Sequence, residues 1–366
     1  MTGSGGAAGE AAGVDAIVLV GGKGTRLRPL TLSAPKPMLP TAGVPFLTHL
    51  LSRIKAAGVG HIILGTSYQA EVFSDHFGDG SSLGVELDYV VETEPLGTGG
   101  GIGNVARLLR GDTALIFNGD VLSGCDLSAL LRTHRQAAAD VTLHLTKVED
   151  PRAFGCVPTD ADGRVTAFLE KDPNPVTDQI NAGAYVFTRA VVESIPTGRP
   201  VSVERETFPN LLAAGAMVAG YVDSTYWRDL GKPADFVAGS SDLVRGIAPT
   251  SALPGPTGQA LVLPGASVAP DATLSGGATV GAGCVVGAGA VVDGSVLFDG
   301  AQIGAGAQVR SSIVGRDARV GEQTVLADVV IGDRARIGAG VELLAGARVW
   351  PDVELADGSV RFSADE

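Results

Sequence analysis

Two rhythms of apolar residues run along the chain. Up to about residue 245, short aliphatic runs alternate with amphipathic stretches. "DAIVLV" (15–20), "HIILGT" (61–66), "TALIFNGD" (113–120) and "VTLHLTKV" (141–148) read as buried strands. Between the first two, "VPFLTHLLSRIKAAG" sets Phe46, Leu47, Leu50, Leu51 and Ile54 at helical spacing, with Gly58 where a helix would stop. Strands separated by helices predict a doubly wound α/β domain with a largely parallel sheet over residues 14–245. In such a domain ligands bind beyond the carboxyl ends of the strands. The glycine-rich loop after the first strand and Asp120 after the third both fall on that edge.

From about residue 262 to the end at 366 the period becomes six. Val268, Leu274, Val280, Val286 and Val292 keep it. After a slip of one it resumes at Leu297, Ile303 and Val309, again at Val314 and Val320, and last at Ile331, Ile337, Leu343 and Val349. An aliphatic at every sixth place, with glycine following several of them, predicts a parallel β-helix whose aliphatics point inward. The Pro- and Gly-rich stretch 246–261 reads as the linker, and residues 1–13 as a disordered lead-in.

Composition narrows the function. The chain has 366 residues, 45% of them hydrophobic and 18% charged, with a formal net charge of −13. That acidity excludes broad nucleic-acid binding, which needs an extended basic face. No apolar run approaches the roughly 20 residues of a membrane span. The N-terminus has neither the basic start nor the apolar core of a secretion signal, so a cytoplasmic location is expected. Three widely spaced cysteines, Cys125, Cys156 and Cys284, fit a reducing compartment and form neither a disulfide framework nor a zinc motif.

Against this acidic background, "VGGKGTRLRPLTLSAPKPM" (20–38) gathers Lys23, Arg26, Arg28 and Lys36 around three glycines. It is neither a dinucleotide fingerprint, because Leu27 stands where the last glycine belongs, nor a P-loop, because Gly24 follows Lys23. Its physics is still that of an anion site: amides free to wrap a phosphate chain, and cations to neutralise it.

"GGKGTRLRPLT" with "PKPM" resembles the signature of the sugar-1-phosphate nucleotidyltransferase family. The resemblance continues through "EPLGTGG" (94–100), "FNGDV" (117–121), "FLEK" (168–171), "INAGAYVF" (180–187), "VERETFP" (203–209) and "YWRDLGKPADF" (226–236). It implies a nucleotidyltransferase domain followed by a left-handed parallel β-helix. "EPLGTGG" resembles the guanylyl-transferring branch, implying GTP and mannose 1-phosphate as substrates. "FLEKDPNP" departs from the family's Glu-Lys-Pro by placing Asp172 after the lysine.

The resemblance also implies roles. Gly21, Gly22, Gly24 and Thr25, with Lys23 and Arg26, would hold the triphosphate, and Lys36 would reach the reacting phosphates. Asp120 and Asp229 would share a Mg²⁺ ion, a hard cation suited to carboxylates. Gly97 and Thr98 would lie along the nucleoside. Gly155, Glu170, Lys171, Asn181 and Gly183 would form the sugar-phosphate pocket. Trp227 reads as packing, and His49, His61 and His76 as surface or half-buried residues. A homo-oligomer built through the β-helix is expected.

Three other readings remain open at this stage: a glucose-1-phosphate enzyme using another nucleotide, a non-catalytic sugar-nucleotide sensor, and acyl transfer by the β-helix. A sensor should have lost part of the loop or an aspartate, and all are present. Acyl transfer usually needs a histidine base, and the last histidine of the chain is His144.

Overall fold

The structure, a computed structural model, describes residues 11–67 and 69–361. Most of the predicted lead-in lies outside the described residues. The chain folds into two compact units that do not follow sequence order. Residues up to 22 belong with 50–227, and residues 23–49 belong with 228 onward.

The first unit is built on a nine-stranded sheet. Its parallel half comprises β1 (Val14–Leu19), β2 (His61–Thr66), β3 (Glu86–Val91) and β4 (Thr113–Asn118), in the spatial order β3-β2-β1-β4. The remaining strands are β5 (Val141–Lys147), β6 (Gly155–Cys156), β7 (Leu169–Glu170), β8 (Gln179–Thr188) and β9 (Val218–Val222). Here the expectation of a largely parallel sheet needs correction: β8 runs antiparallel to both β4 and β5. The reason is the connection. No α-helix lies between β5 and β8, whose connection holds one short 3-10 turn and the antiparallel pair β6–β7, and a parallel return usually runs through a crossover helix. Ile17, Ile63, Ile116, Leu143, Tyr185, Phe187 and Phe208 form the core around the sheet.

The predicted helix appears as α1 (Phe46–Ala56), with Phe46, Leu47, Leu50, Leu51 and Ile54 all buried. It ends as the spacing predicts: the Gly58 amide closes on the Lys55 carbonyl at 2.8 Å, and Gly58 itself has φ of 90°.

In the second unit, residues 260–355 wind into three parallel sheets of five or six very short strands, the arrangement of a left-handed β-helix. The inward rows are in register. Val280, Leu297, Val314, Ile331 and Val349 stack on the first face. Val268, Val286, Ile303, Val320, Ile337 and Leu355 stack on the second. Leu274, Val292, Val309, Leu326 and Leu343 stack on the third.

The slips in the sequence period now have one location. The steps from Val292 to Leu297, Val309 to Val314 and Leu326 to Ile331 all cross the corner between the third and first faces. At that corner Ser295 and Ser312 are wholly buried. The Ser312 amide donates to Ser295 Oγ at 3.0 Å, and the Val329 amide donates to Ser312 Oγ at 3.0 Å. A hydroxyl ladder therefore satisfies the backbone where the tighter corner leaves it unpaired.

Among the described residues no helix is long and apolar enough to cross a membrane.

Candidate active site

In the first unit, β1 and β4 end side by side, and the strand order reverses between them. The Gly119 amide donates to the Leu19 carbonyl at 2.9 Å. A side-chain carbon at Gly119 would lie 2.7 Å from that same oxygen, so only glycine allows the approach. Asp120 follows at once, half-buried, and Gly21 and Gly22 follow β1. Ser67 at the end of β2 donates to the Gly21 carbonyl at 2.6 Å and fills the space where a Gly21 side chain would stand. Gly22 faces open space.

"EPLGTGG" opens α2 (Gly97–Asn104). Gly97 has φ of 71°, and an added carbon there would lie 2.7 Å from the Val201 carbonyl, which accepts from the Gly99 and Gly100 amides. The Thr98 hydroxyl donates to Glu204 at 2.8 Å and accepts from the Val203 amide at 2.9 Å. The glycines thus dock "VERETFP" against the helix start, and the Thr98 hydroxyl is engaged by that segment.

Residues of the expected sugar pocket gather on β6, β7 and β8. Glu170 pairs with Gly155 across the β6–β7 ladder, and Lys171, at φ of 53°, sets its ammonium 3.6 Å from Glu170. On β8 the register slips between Asn181 and Tyr185. Asn181 fixes that bulge: it accepts from the Gly183 amide at 3.1 Å and donates to the Tyr185 hydroxyl at 2.8 Å. Burial pushes the Tyr185 phenol far up, keeping it a neutral partner. Gly183 has φ of 79° and lies against Asn118 and Val121. Trp227 packs edge-on to Phe154, its indole donating to the Ala182 carbonyl at 3.0 Å.

The second unit holds the cations of the glycine-rich segment. Gly24 sits in the left-handed region and opens a single tight turn, Thr25–Leu27, that buries Leu27. Thr31 donates to the Gly24 carbonyl at 2.9 Å, and a carbon added at Gly24 would press on Lys36 and Thr31. Lys23, Thr25, Arg26 and Arg28 are exposed, whereas Lys36 is buried, its ammonium 3.7 Å from Asp229. Gly231 is one residue of the Asp229 motif to which the sequence assigned no role of its own. A side-chain carbon there would stand 2.5 Å from the Arg26 guanidinium and 3.1 Å from the Asp229 carboxylate, so Arg26 lies across Gly231 beside Asp229. Its signal was present: Gly231 sits two residues after Asp229 in the quoted motif.

Two histidines depart from expectation. His49 is buried, bonding the Thr41 carbonyl and the Thr250 hydroxyl. His61 is buried between Asp15 and Asp88, 2.7 and 3.0 Å away. Both sit on element faces where a polar ring with partners on each nitrogen replaces an aliphatic. His76 is exposed, as expected.

Cys125, His144 and Asp223 bring their polar atoms within 4.8 Å of one another, all buried. Arg53 donates to the Cys125 carbonyl at 2.9 Å and its cation acts on Asp223. Burial pushes the Cys125 thiol up and the His144 imidazole down to about 4. Both are neutral groups of a packed polar cluster.

A doubly wound sheet with a basic glycine segment after its first strand defines a nucleotide-handling α/β protein. The chain belongs to the nucleotidyl transferase family, which matches residues 15–246, and the GMPPB C-terminal domain matches residues 256–361. It is 64% identical to the mannose-1-phosphate guanylyltransferase of Mycobacterium tuberculosis over 96% of this chain and 98% of that protein. It is 40% identical to the mannose-1-phosphate guanylyltransferase catalytic subunit beta of Drosophila pseudoobscura pseudoobscura over 62% of each. Among solved structures, HddC from Yersinia pseudotuberculosis complexed with GMP-PN is 29% identical, with a TM-score of 0.55, over 63% of this chain and 99% of that one.

Proposed function

We propose that the protein transfers the guanylyl group of GTP to mannose 1-phosphate, giving GDP-mannose and pyrophosphate. The observation that carries the reading is the joined end of β1 and β4, where Gly119 brings Asp120 against the strand that leads into the basic glycine segment.

A phosphate oxygen of mannose 1-phosphate attacks the α-phosphorus. A new P–O bond forms, the bond to the β-phosphate oxygen breaks, and pyrophosphate leaves. The nucleophile is already an anion at neutral pH, so no base is needed. The barrier is electrostatic: two anions must meet while charge builds on the leaving group. Catalysis is then alignment plus charge stabilisation.

The amides of Gly21, Gly22, Gly24 and Thr25, with Lys23 and Arg26, hold the triphosphate and the departing pyrophosphate. Lys36, held beside Asp229, reaches the reacting phosphates. Glu170 takes sugar hydroxyls and Lys171 the sugar phosphate, with Gly155, Asn181 and Gly183 shaping the pocket. Gly97 and Thr98 line the nucleoside. Asp120 and Asp229 offer the hard oxygen donors that suit Mg²⁺, with Arg26 and Lys36 lying beside Asp229. When bound, the ion would neutralise charge on the phosphates. The family's wider use of Mg²⁺ supports this assignment, and assembly into a homo-oligomer through the β-helix belongs to the same proposal.

The test is pyrophosphate release by the full-length protein over GTP, dTTP, ATP and UTP against mannose 1-phosphate and glucose 1-phosphate, with Mg²⁺ and with EDTA. Release confined to GTP with mannose 1-phosphate and Mg²⁺ supports the whole reading. Another preferred pair overturns the substrates and keeps the chemistry, and release undiminished by EDTA removes the metal.

A further inference from the structure

The β-helix shows one outer face unlike the others. On the first face the outward row is Thr279, Val296, Ile313, Val330 and Arg348, in register. Its first four members are apolar or hydroxylated and at most 2% exposed. The outward row of the second face, by contrast, is Ser267, Val285, Gln302, Arg319, Arg336 and Glu354, exposed throughout.

Both ends of the row reach the segment 23–49 within the same compact unit, the first through Ser240 and the other through the exposed Arg348. At the first turn, Thr279 Oγ1 lies 3.3 Å from Ser240 Oγ on α3 (Pro233–Val244), and Ser240 Oγ accepts from the Ala42 amide at 2.9 Å, all three groups being buried. Beside them, Gly43 lies against Leu263 and Pro254, and His49 bonds Thr250 at 2.7 Å. At the far end, the Arg348 guanidinium donates to the Arg28 carbonyl at 2.7 Å. Arg28 directly follows the turn Thr25–Leu27 that presents Lys23 and Arg26, and the Arg28 amide closes that turn onto the Thr25 carbonyl at 3.2 Å.

We propose that the β-helix is the platform of the nucleotide-binding segment and that Arg348 is a positioning residue for the GTP triphosphate. It acts through the Arg28 carbonyl, to which it is bonded, and touches no substrate. The Arg28 carbonyl ends the turn, so anchoring it fixes where the preceding glycine amides and cations point. Without the anchor the segment must be ordered by the nucleotide itself, and that cost appears in nucleotide affinity. The inference rests on residues 21–38 being the triphosphate site.

The experiment compares Arg348→Ala, Arg348→Lys and Lys23→Ala as full-length proteins, measuring KM for GTP and for mannose 1-phosphate, kcat and the thermal midpoint. Loss of one hydrogen bond to an ordered loop corresponds to a rise of roughly three- to tenfold in the GTP KM. Arg348→Ala should show that rise with the mannose 1-phosphate KM and the midpoint unchanged, and Arg348→Lys, which keeps a donor, should recover most of it. An unchanged GTP KM in Arg348→Ala, beside a raised one in Lys23→Ala, overturns the proposal and leaves the triphosphate site standing. A fall in midpoint with both KM values rising together reduces Arg348 to a fold-stabilising contact. If Lys23→Ala also leaves the GTP KM unchanged, the triphosphate site itself is wrong.

Discussion

At Gly231 an absent side chain decides where a charge can lie. The Arg26 guanidinium occupies the space an alanine methyl would take. Because the obstructed atoms are the tip of a flexible side chain, Gly231→Ala should cost the fold little and displace Arg26 instead. Turnover should fall by roughly ten- to a hundredfold, less than the roughly 10²- to 10³-fold for a stabiliser removed outright because Arg26 is displaced and not deleted, while the thermal midpoint stays put. A midpoint drop without a turnover loss would show that Arg26 has no part in the chemistry. Gly119 is the contrasting case, since its close neighbour is the Leu19 backbone, which cannot step aside.

Among elements, the tight corner of the β-helix depends on hydroxyls as much as on its aliphatic rows. Ser312 Oγ donates to the Arg310 carbonyl at 2.7 Å and accepts from the Val329 amide. Ser312→Ala leaves that buried amide without its partner, a penalty of about 1–3 kcal/mol. Chemical denaturation should register it, whereas catalysis should hardly change. Equal stability of the variant would mean that the corner relaxes to find another acceptor.

For the whole molecule, acid sensitivity follows from burial. His144 is 1% exposed, and desolvation lowers its pKa to about 4 from 6.5, against the partly opposing charge of Asp223 and with Arg53 adding to the fall. The folded chain therefore keeps it neutral while the unfolded chain protonates it near 6.5. Stability is full above that pH and is lost as pH falls from about 6.5 towards 4, by roughly 3 kcal/mol for this group. The thermal midpoint should drop across that window, and less steeply in His144→Gln. A slope identical to the wild type would assign the sensitivity to other groups, His134 among them, whose pKa burial also lowers to about 4.

Much of this was legible in the chain alone. Strand runs, the helix ended by Gly58 and the six-residue repeat are local patterns, because backbone geometry fixes which side chains share a face. The glycine segment and its cations were legible for the same reason, being contiguous. Buried partners of distant residues were not. His49 and His61 read as surface or half-buried residues because Thr41, Thr250, Asp15 and Asp88, which satisfy them, are neighbours mainly in space. The doublets Val296-Leu297, Ile313-Val314 and Val330-Ile331 make one β-helix face apolar outside as well as in, which shows only once the strand register stacks them. Sequence determined the elements and the chemistry they carry. Tertiary structure alone decided that residues 23–49 leave the sheet to fold with the β-helix, since long-range packing joins Ala42 to Ser240 and Arg28 to Arg348.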